Sequence, residues 1–66
     1  MKNRLKVARA EHNLSQAELA ERIGVSRQTI NSIETGRYVP STVLALKLAA
    51  VFTQSVEALF SLEDVD

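Results

Sequence analysis

Apolar and polar positions along this chain recur with the period of an α-helix, in short runs separated by residues that stop helices. The pattern predicts helices over Asn3 to Glu11, Gln16 to Ile23, Arg27 to Thr35, Thr42 to Phe52 and Val56 to Phe60. Strands are not expected, save a short one that Phe60 to Leu62 could form. Each boundary has a local cause. Ser15 and Glu18 make a Ser-x-x-Glu capping box, in which each side chain accepts from the other residue's free backbone N–H. Ser26, Ser41 and Ser55 are natural N-caps for the three later helices. Gly24 tolerates a positive φ, so one helix can end sharply there and the next begin almost at once, and Gly36 suits the position just past the third helix.

Leu19, Ala20 and Ile23 share one face of the second helix, and Ile30 and Ile33 one face of the third. Ala20 is small where two helices crossing at roughly 90 to 120 degrees approach most closely. The expected core is Leu5, Ala8, Leu14, Leu19, Ile23, Val25, Ile30, Ile33, Ala45, Leu46, Ala49, Phe52, Val56, Leu59 and Phe60. The fourth helix carries more apolar residues than one face can use. Ala45, Leu46, Ala49 and Phe52 are read as its inward stripe, which leaves Leu44, Leu48 and Val51 as a second, with Lys47 its only charge. Such a surplus predicts a homodimer interface formed by Leu44, Leu48 and Val51, assisted by Leu62. The central buried helix of a small bundle would have the same composition.

Sixty-six residues suit one all-α domain, with residues 63–66 expected as a frayed tail. One core of that size contributes only about 3 to 5 kcal/mol of net stability. Cysteine is absent and His12 is the only histidine, so neither disulfides nor a metal site is expected, and no cofactor. No uninterrupted apolar run reaches the roughly 18 residues of a membrane span, and Met-Lys-Asn-Arg does not begin a secretory signal. The expectation is a soluble, cytoplasmic protein without membrane contact or small-molecule ligand. Glu11, His12, Glu18 and Glu21 have no convergent nucleophile, so no catalytic residue is assigned and an enzyme is not expected. Formal charge sums to zero but is divided unevenly. Lys2, Arg4, Lys6, Arg9, Arg22, Arg27 and Arg37 outnumber Glu11, Glu18, Glu21 and Glu34 up to Pro40, a balance of plus three. Beyond it Lys47 faces Glu57, Glu63, Asp64 and Asp66, a balance of minus three, so the molecule is a dipole whose basic end can approach a polyanion.

Residues Gln16 to Thr35, QAELAERIGVSRQTINSIET, resemble the helix-turn-helix of the Xre family of phage repressor and Cro-like regulators. Gln16, Ala20, Gly24, Val25, Ile30, Ile33, Glu34 and Gly36 stand where that family has Gln, a small residue, Gly, three apolar residues, Glu and Gly. Tyr38 to Ser41 and Leu44 to Ala49 look like the loop and fourth helix of small stand-alone members, so the resemblance spans roughly residues 3 to 62. It implies a five-helix repressor-like DNA-binding domain.

In that mode the second helix of the motif lies in the major groove, and its exposed early residues reach base edges. These are Ser26, Arg27, Gln28 and Ser32, opposite the inward Ile30 and Ile33. Arginine can donate twice to guanine, glutamine can pair with adenine, and serine serves either base. Phosphate contacts are expected from Gln16, at the start of the second helix, from Asn31, and from Arg37 and Tyr38 in the following loop. Thr29 could instead bond within its own helix, Asn31 could be merely solvated, and Arg37 and Tyr38 could be ordinary surface. The resemblance further implies a structural salt bridge between Arg9 and Glu34. The resulting expectation is a homodimeric repressor that binds a palindromic double-stranded operator and occludes a promoter. Two rivals share the motif: an antitoxin, which would need a toxin-wrapping tail where about six residues follow the fifth helix, and a controller of a restriction-modification operon.

Overall fold

The computed structural model describes all residues from Met1 to Asp66. In chain order it contains β1 (Lys2–Asn3), α1 (Leu5–Glu11), α2 (Gln16–Ile23), α3 (Arg27–Glu34), α4 (Thr42–Phe52), α5 (Val56–Leu59) and β2 (Phe60–Ser61). No helix is long and apolar enough to cross a membrane. All four serine caps form: the hydroxyls of Ser15, Ser26, Ser41 and Ser55 accept from the backbone N–H groups of Glu18, Thr29, Leu44 and Ala58. The capping box of α2 is complete, with Glu18 Oε1 accepting from the Ser15 N–H at 3.0 Å. Gly24 ends α2 with φ of 75°.

The expectation about strands needs correction. β2 falls within the stretch considered, but it pairs antiparallel with β1, placing Lys2 opposite Ser61 and Asn3 opposite Phe60. A two-residue pairing leaves no alternating pattern to detect, and asparagine is a poor strand former. What holds β1 is the Asn3 side chain. Its Nδ2 donates to the Ile33 carbonyl at 2.9 Å and its Oδ1 accepts from the Leu5 N–H at 3.1 Å. Asn3 therefore closes the start of α1 and pins β1 to the end of α3, which is why α1 begins at Leu5.

Leu5, Ala8, Leu14, Leu19, Ala20, Ile23, Ile30, Ile33, Leu48, Ala49, Phe52, Leu59 and Phe60 are buried in one cluster. α4 is rotated relative to the expected phase. Leu48 is 0 % exposed and Leu46 is 57 % exposed, so the inward stripe is Ala45, Leu48, Ala49 and Phe52, spaced i, i+3, i+4 and i+7. Leu44 and Val51 are partly buried against the same cluster, as are Val25, Ala45 and Val56. The dimer expectation is thereby corrected at Leu48, which has no surface left to offer a partner, and Leu44 and Val51 flank the core. The outer face consists of Val43, Leu46, Lys47 and Ala50, all exposed. α4 is so uniformly apolar that periodicity does not choose between its faces.

Thr53, at the end of α4, has φ of 53°, an uncommon conformation for a β-branched residue. The last residues form a turn, with Asp66 Oδ2 accepting from the Glu63 N–H at 2.7 Å and Oδ1 from the Met1 ammonium at 3.1 Å. These hydrogen bonds hold the Asp66 carboxyl below its ordinary value.

Candidate nucleic-acid interface

α2 and α3 are the most closely packed pair of elements, joined through Gly24, Val25 and Ser26. Ile30 and Ile33, 0 % and 1 % exposed, fasten α3 to the core and so fix which of its side chains face solvent. Arg27, Gln28 and Asn31 are exposed, whereas Thr29 and Ser32 are half-buried. Arg27 and Arg37 take no part in an ion pair, so both guanidinium groups keep their donors available.

Ser26 is engaged locally. Its Oγ accepts from the Thr29 N–H at 3.1 Å and shares a hydrogen bond with Thr29 Oγ1 at 2.9 Å. Thr29 thus bonds within its own helix. Ser26, Gln28, Thr29, Ser32 and Tyr38 line one open depression, which brings the loop after α3 alongside the exposed face of the helix. That loop is held by its backbone: the N–H groups of Arg37 and Tyr38 both donate to the Ser32 carbonyl, at 2.9 and 3.2 Å. The Thr35 hydroxyl caps the end of α3 by donating to the Asn31 carbonyl at 2.9 Å.

Arg9 and Glu34 form the expected pair between α1 and α3. Arg9 Nε donates to Glu34 Oε2 at 2.6 Å and an Nη to Oε1 at 3.2 Å, a bidentate arrangement whose side chains are 15 % and 5 % exposed. The other Nη donates to the Leu14 carbonyl at 2.8 Å, which ties in the α1–α2 turn. The hydrogen bonds to Glu34 hold the Arg9 guanidinium above its ordinary pKa, against the opposing effect of burial.

Gln16 stands at the start of α2, half-buried, and its side chain reaches across to α3. Nε2 donates to Glu34 Oε1 at 3.1 Å and to Asn31 Oδ1 at 3.2 Å, which uses both amide protons. A phosphate contact from Gln16 remains an expectation, and in the chain alone its amide protons are directed at α3. The backbone N–H groups of Gln16 and Ala17, in the first turn of this helix, find no acceptor within the chain. Residue types alone do not reveal the Gln16–Asn31 contact. It emerges once helix phases are set, since Asn31 lies one turn before Glu34 on α3. Glu18, spent in the cap, is held below its ordinary pKa by the Ser15 backbone N–H and then by the Ser15 hydroxyl.

Comparison with known proteins agrees with this geometry. A family model described as Helix-turn-helix matches residues 5–59. An uncharacterized HTH-type transcriptional regulator of Methanocaldococcus jannaschii is 55% identical over 64 residues, covering 97% of both chains. The uncharacterized HTH-type transcriptional regulator YgzD of Bacillus subtilis is 48% identical over 64 residues, again with 97% of each covered. Among solved structures, the SOS-response transcriptional repressor LexA from Eubacterium rectale superposes with a TM-score of 0.80 at 29% identity, over 94% of this chain and 66% of that one. The SinR protein/SinI protein complex gives 0.78 at 33% identity, over 92% of this chain and 65% of its own. An exposed α3 bearing unpaired arginine and glutamine, braced by α2 and matched over residues 5–59, leads to one conclusion: the chain belongs to the helix-turn-helix family of DNA-binding transcriptional regulators.

Proposed function

We propose that this protein is a homodimeric, cytoplasmic repressor that reads a palindromic operator with α3 in the major groove and prevents transcription by occupying the promoter. The observation that carries the reading is the division of α3. Ile30 and Ile33 are buried on one side, while Arg27 and Gln28 project from the other without partners. Arg27 and Gln28 read bases, with Ser32 and the capping Ser26 beside them. Arg37, Tyr38 and the backbone N–H groups at the start of α2 hold phosphates, where the helix dipole favours negative charge.

The homodimer is proposed through the outer face of α4. Val43 and Leu46 are 62 % and 57 % exposed, and Val39 and Leu62 add 59 % and 79 %. Leu46 also borders an apolar groove shared with Val39, Pro40, Ala45, Val56 and Phe60. Two copies related by a two-fold axis place their α3 helices about 34 Å apart, one turn of the duplex, and so read two half-sites.

Selection from a randomised duplex library, followed by titration of single-base variants, tests this. Arg27→Ala or Gln28→Ala is expected to cost about 1 to 3 kcal/mol and to relax preference at one base pair in each half-site. Arg37→Ala is expected to weaken all sites alike and to flatten the salt dependence by about one unit of slope. If both α3 variants kept the wild-type ranking of sites, α3 would not be the reading element.

A further inference from the structure

We infer that Asn3 is a positioning residue that ties α3 to the proposed dimer face and thereby sets the half-site separation that the dimer accepts. This rests on the proposal that two copies meet on the outer face of α4 and read DNA with α3. The Ile33 carbonyl lies in the last turn of α3, where carbonyls have no partner within the helix. It accepts from the Gly36 N–H at 3.1 Å and from Asn3 Nδ2 at 2.9 Å, which fills both of its lone pairs. The half-buried Asn3 amide has one orientation only. Its Oδ1 accepts from the Leu5 N–H at 3.1 Å, a group that can only donate, while its Nδ2 meets a carbonyl that can only accept. A flipped amide would lose both bonds.

Two side-chain ties join α3 to elements outside the helix-turn-helix. Arg9 holds Glu34 to α1, and Asn3 holds Ile33 to β1. Only the second leads to the dimer face. Asn3 is paired with Phe60 in β2, and the next N–H, of Arg4, donates to the Leu59 carbonyl at 2.8 Å. Phe60 and Met1 line the groove shared with Val39 and Leu46, and Leu62 follows β2 directly.

The consequence concerns spacing. One base pair inserted between half-sites moves one of them by about 3.4 Å along the duplex, since a turn of about 34 Å holds about 10 base pairs. Shared between two protomers, the shift asks about 1.7 Å of each α3 relative to its own dimer face. A hydrogen bond of 2.9 Å is broken before it stretches that far. A dimer that keeps both Asn3 bonds therefore rejects the longer site, and one that lacks them can follow it.

The test is the binding of wild type, Asn3→Ser and Asn3→Asp to three duplexes. These are a single half-site, the two-half-site duplex that wild type selects from a randomised library, and that duplex with one base pair inserted at its centre. Both variants keep an oxygen that can accept from the Leu5 N–H and close the start of α1. Neither can hold Ile33 as well, because aspartate has no proton to donate and the serine hydroxyl is one bond shorter than the amide. Urea titration gives the folded fraction of each variant, to which its affinities are referred.

Both variants should bind the single half-site within about twofold of wild type, while the factor by which the insertion weakens binding should fall about tenfold, two hydrogen bonds per dimer being lost. An insertion penalty equal to that of wild type would overturn the tie and leave the dimer standing. Equal losses on all three duplexes, the mark of a merely structural role, would also overturn it. If wild type itself paid no penalty for the insertion, the dimeric reading would fail and the tie with it.

Discussion

The Arg9–Glu34 pair is expected to fail asymmetrically when one partner is removed, because its two members differ in exposure. Breaking a fully buried pair costs about 3 to 5 kcal/mol, mostly as the penalty on the charge left behind. Arg9→Met leaves Glu34, 5 % exposed, with only the Gln16 amide to answer it, so the loss should lie near the top of that range, about 4 kcal/mol. Glu34→Gln leaves Arg9, which is 15 % exposed and keeps its bond to the Leu14 carbonyl, so water can reach the guanidinium and the loss should be about 2 kcal/mol. A domain of this size has only about 3 to 5 kcal/mol in hand, so Arg9→Met should be largely unfolded without a stabilising solute. Urea titrations by circular dichroism, in a background of added sulfate, would measure both. The combined variant Arg9→Met with Glu34→Gln removes both charges and should recover about 2 kcal/mol over Arg9→Met. If the two single losses were equal, or the combined loss were their sum, the pair would be a surface feature and not the brace of α3.

Leu46→Glu should keep the fold and abolish dimers, whereas Leu48→Ala should cost about 2 to 5 kcal/mol whatever the protein concentration; sedimentation with thermal melts separates the two, and a stable Leu48→Ala would refute the phase assigned to α4. Thr53→Gly should stabilise by about 0.5 to 1 kcal/mol, since relief of the left-handed strain exceeds the added unfolded entropy of glycine, and an unchanged urea midpoint would argue against strain. The cap at Glu18 predicts a pH dependence. Its folded-state pKa lies below the ordinary value of 4.5, so the native state binds fewer protons, and the stabilisation is complete above that value and lost as pH falls through the depressed one. Glu18→Gln, which retains the capping geometry, should flatten that acid limb in urea titrations from about pH 7 to pH 3.

Short-range physics made much of this protein legible in its sequence. Ser-x-x-Glu, the serine caps and Gly24 each act within a few residues, so the bounds of α2 and α4 and the turn between α2 and α3 follow from local chemistry. The inward faces of α2 and α3 were equally readable, because their apolar residues occupy one stripe and leave the rest polar. Local chemistry did not determine the phase of α4, where Leu46 and Leu48 are both apolar and only packing against the other helices decides that Leu48 is buried. Nor did it determine β1, whose two residues are held by an asparagine reaching thirty positions along the chain to Ile33. The direction of Gln16 is of the same kind. A glutamine at a helix start suits a phosphate by its residue type, but the nearby buried carboxylate of Glu34 is a stronger acceptor for its protons than water, and that carboxylate is brought there only by the folded arrangement of α1, α2 and α3.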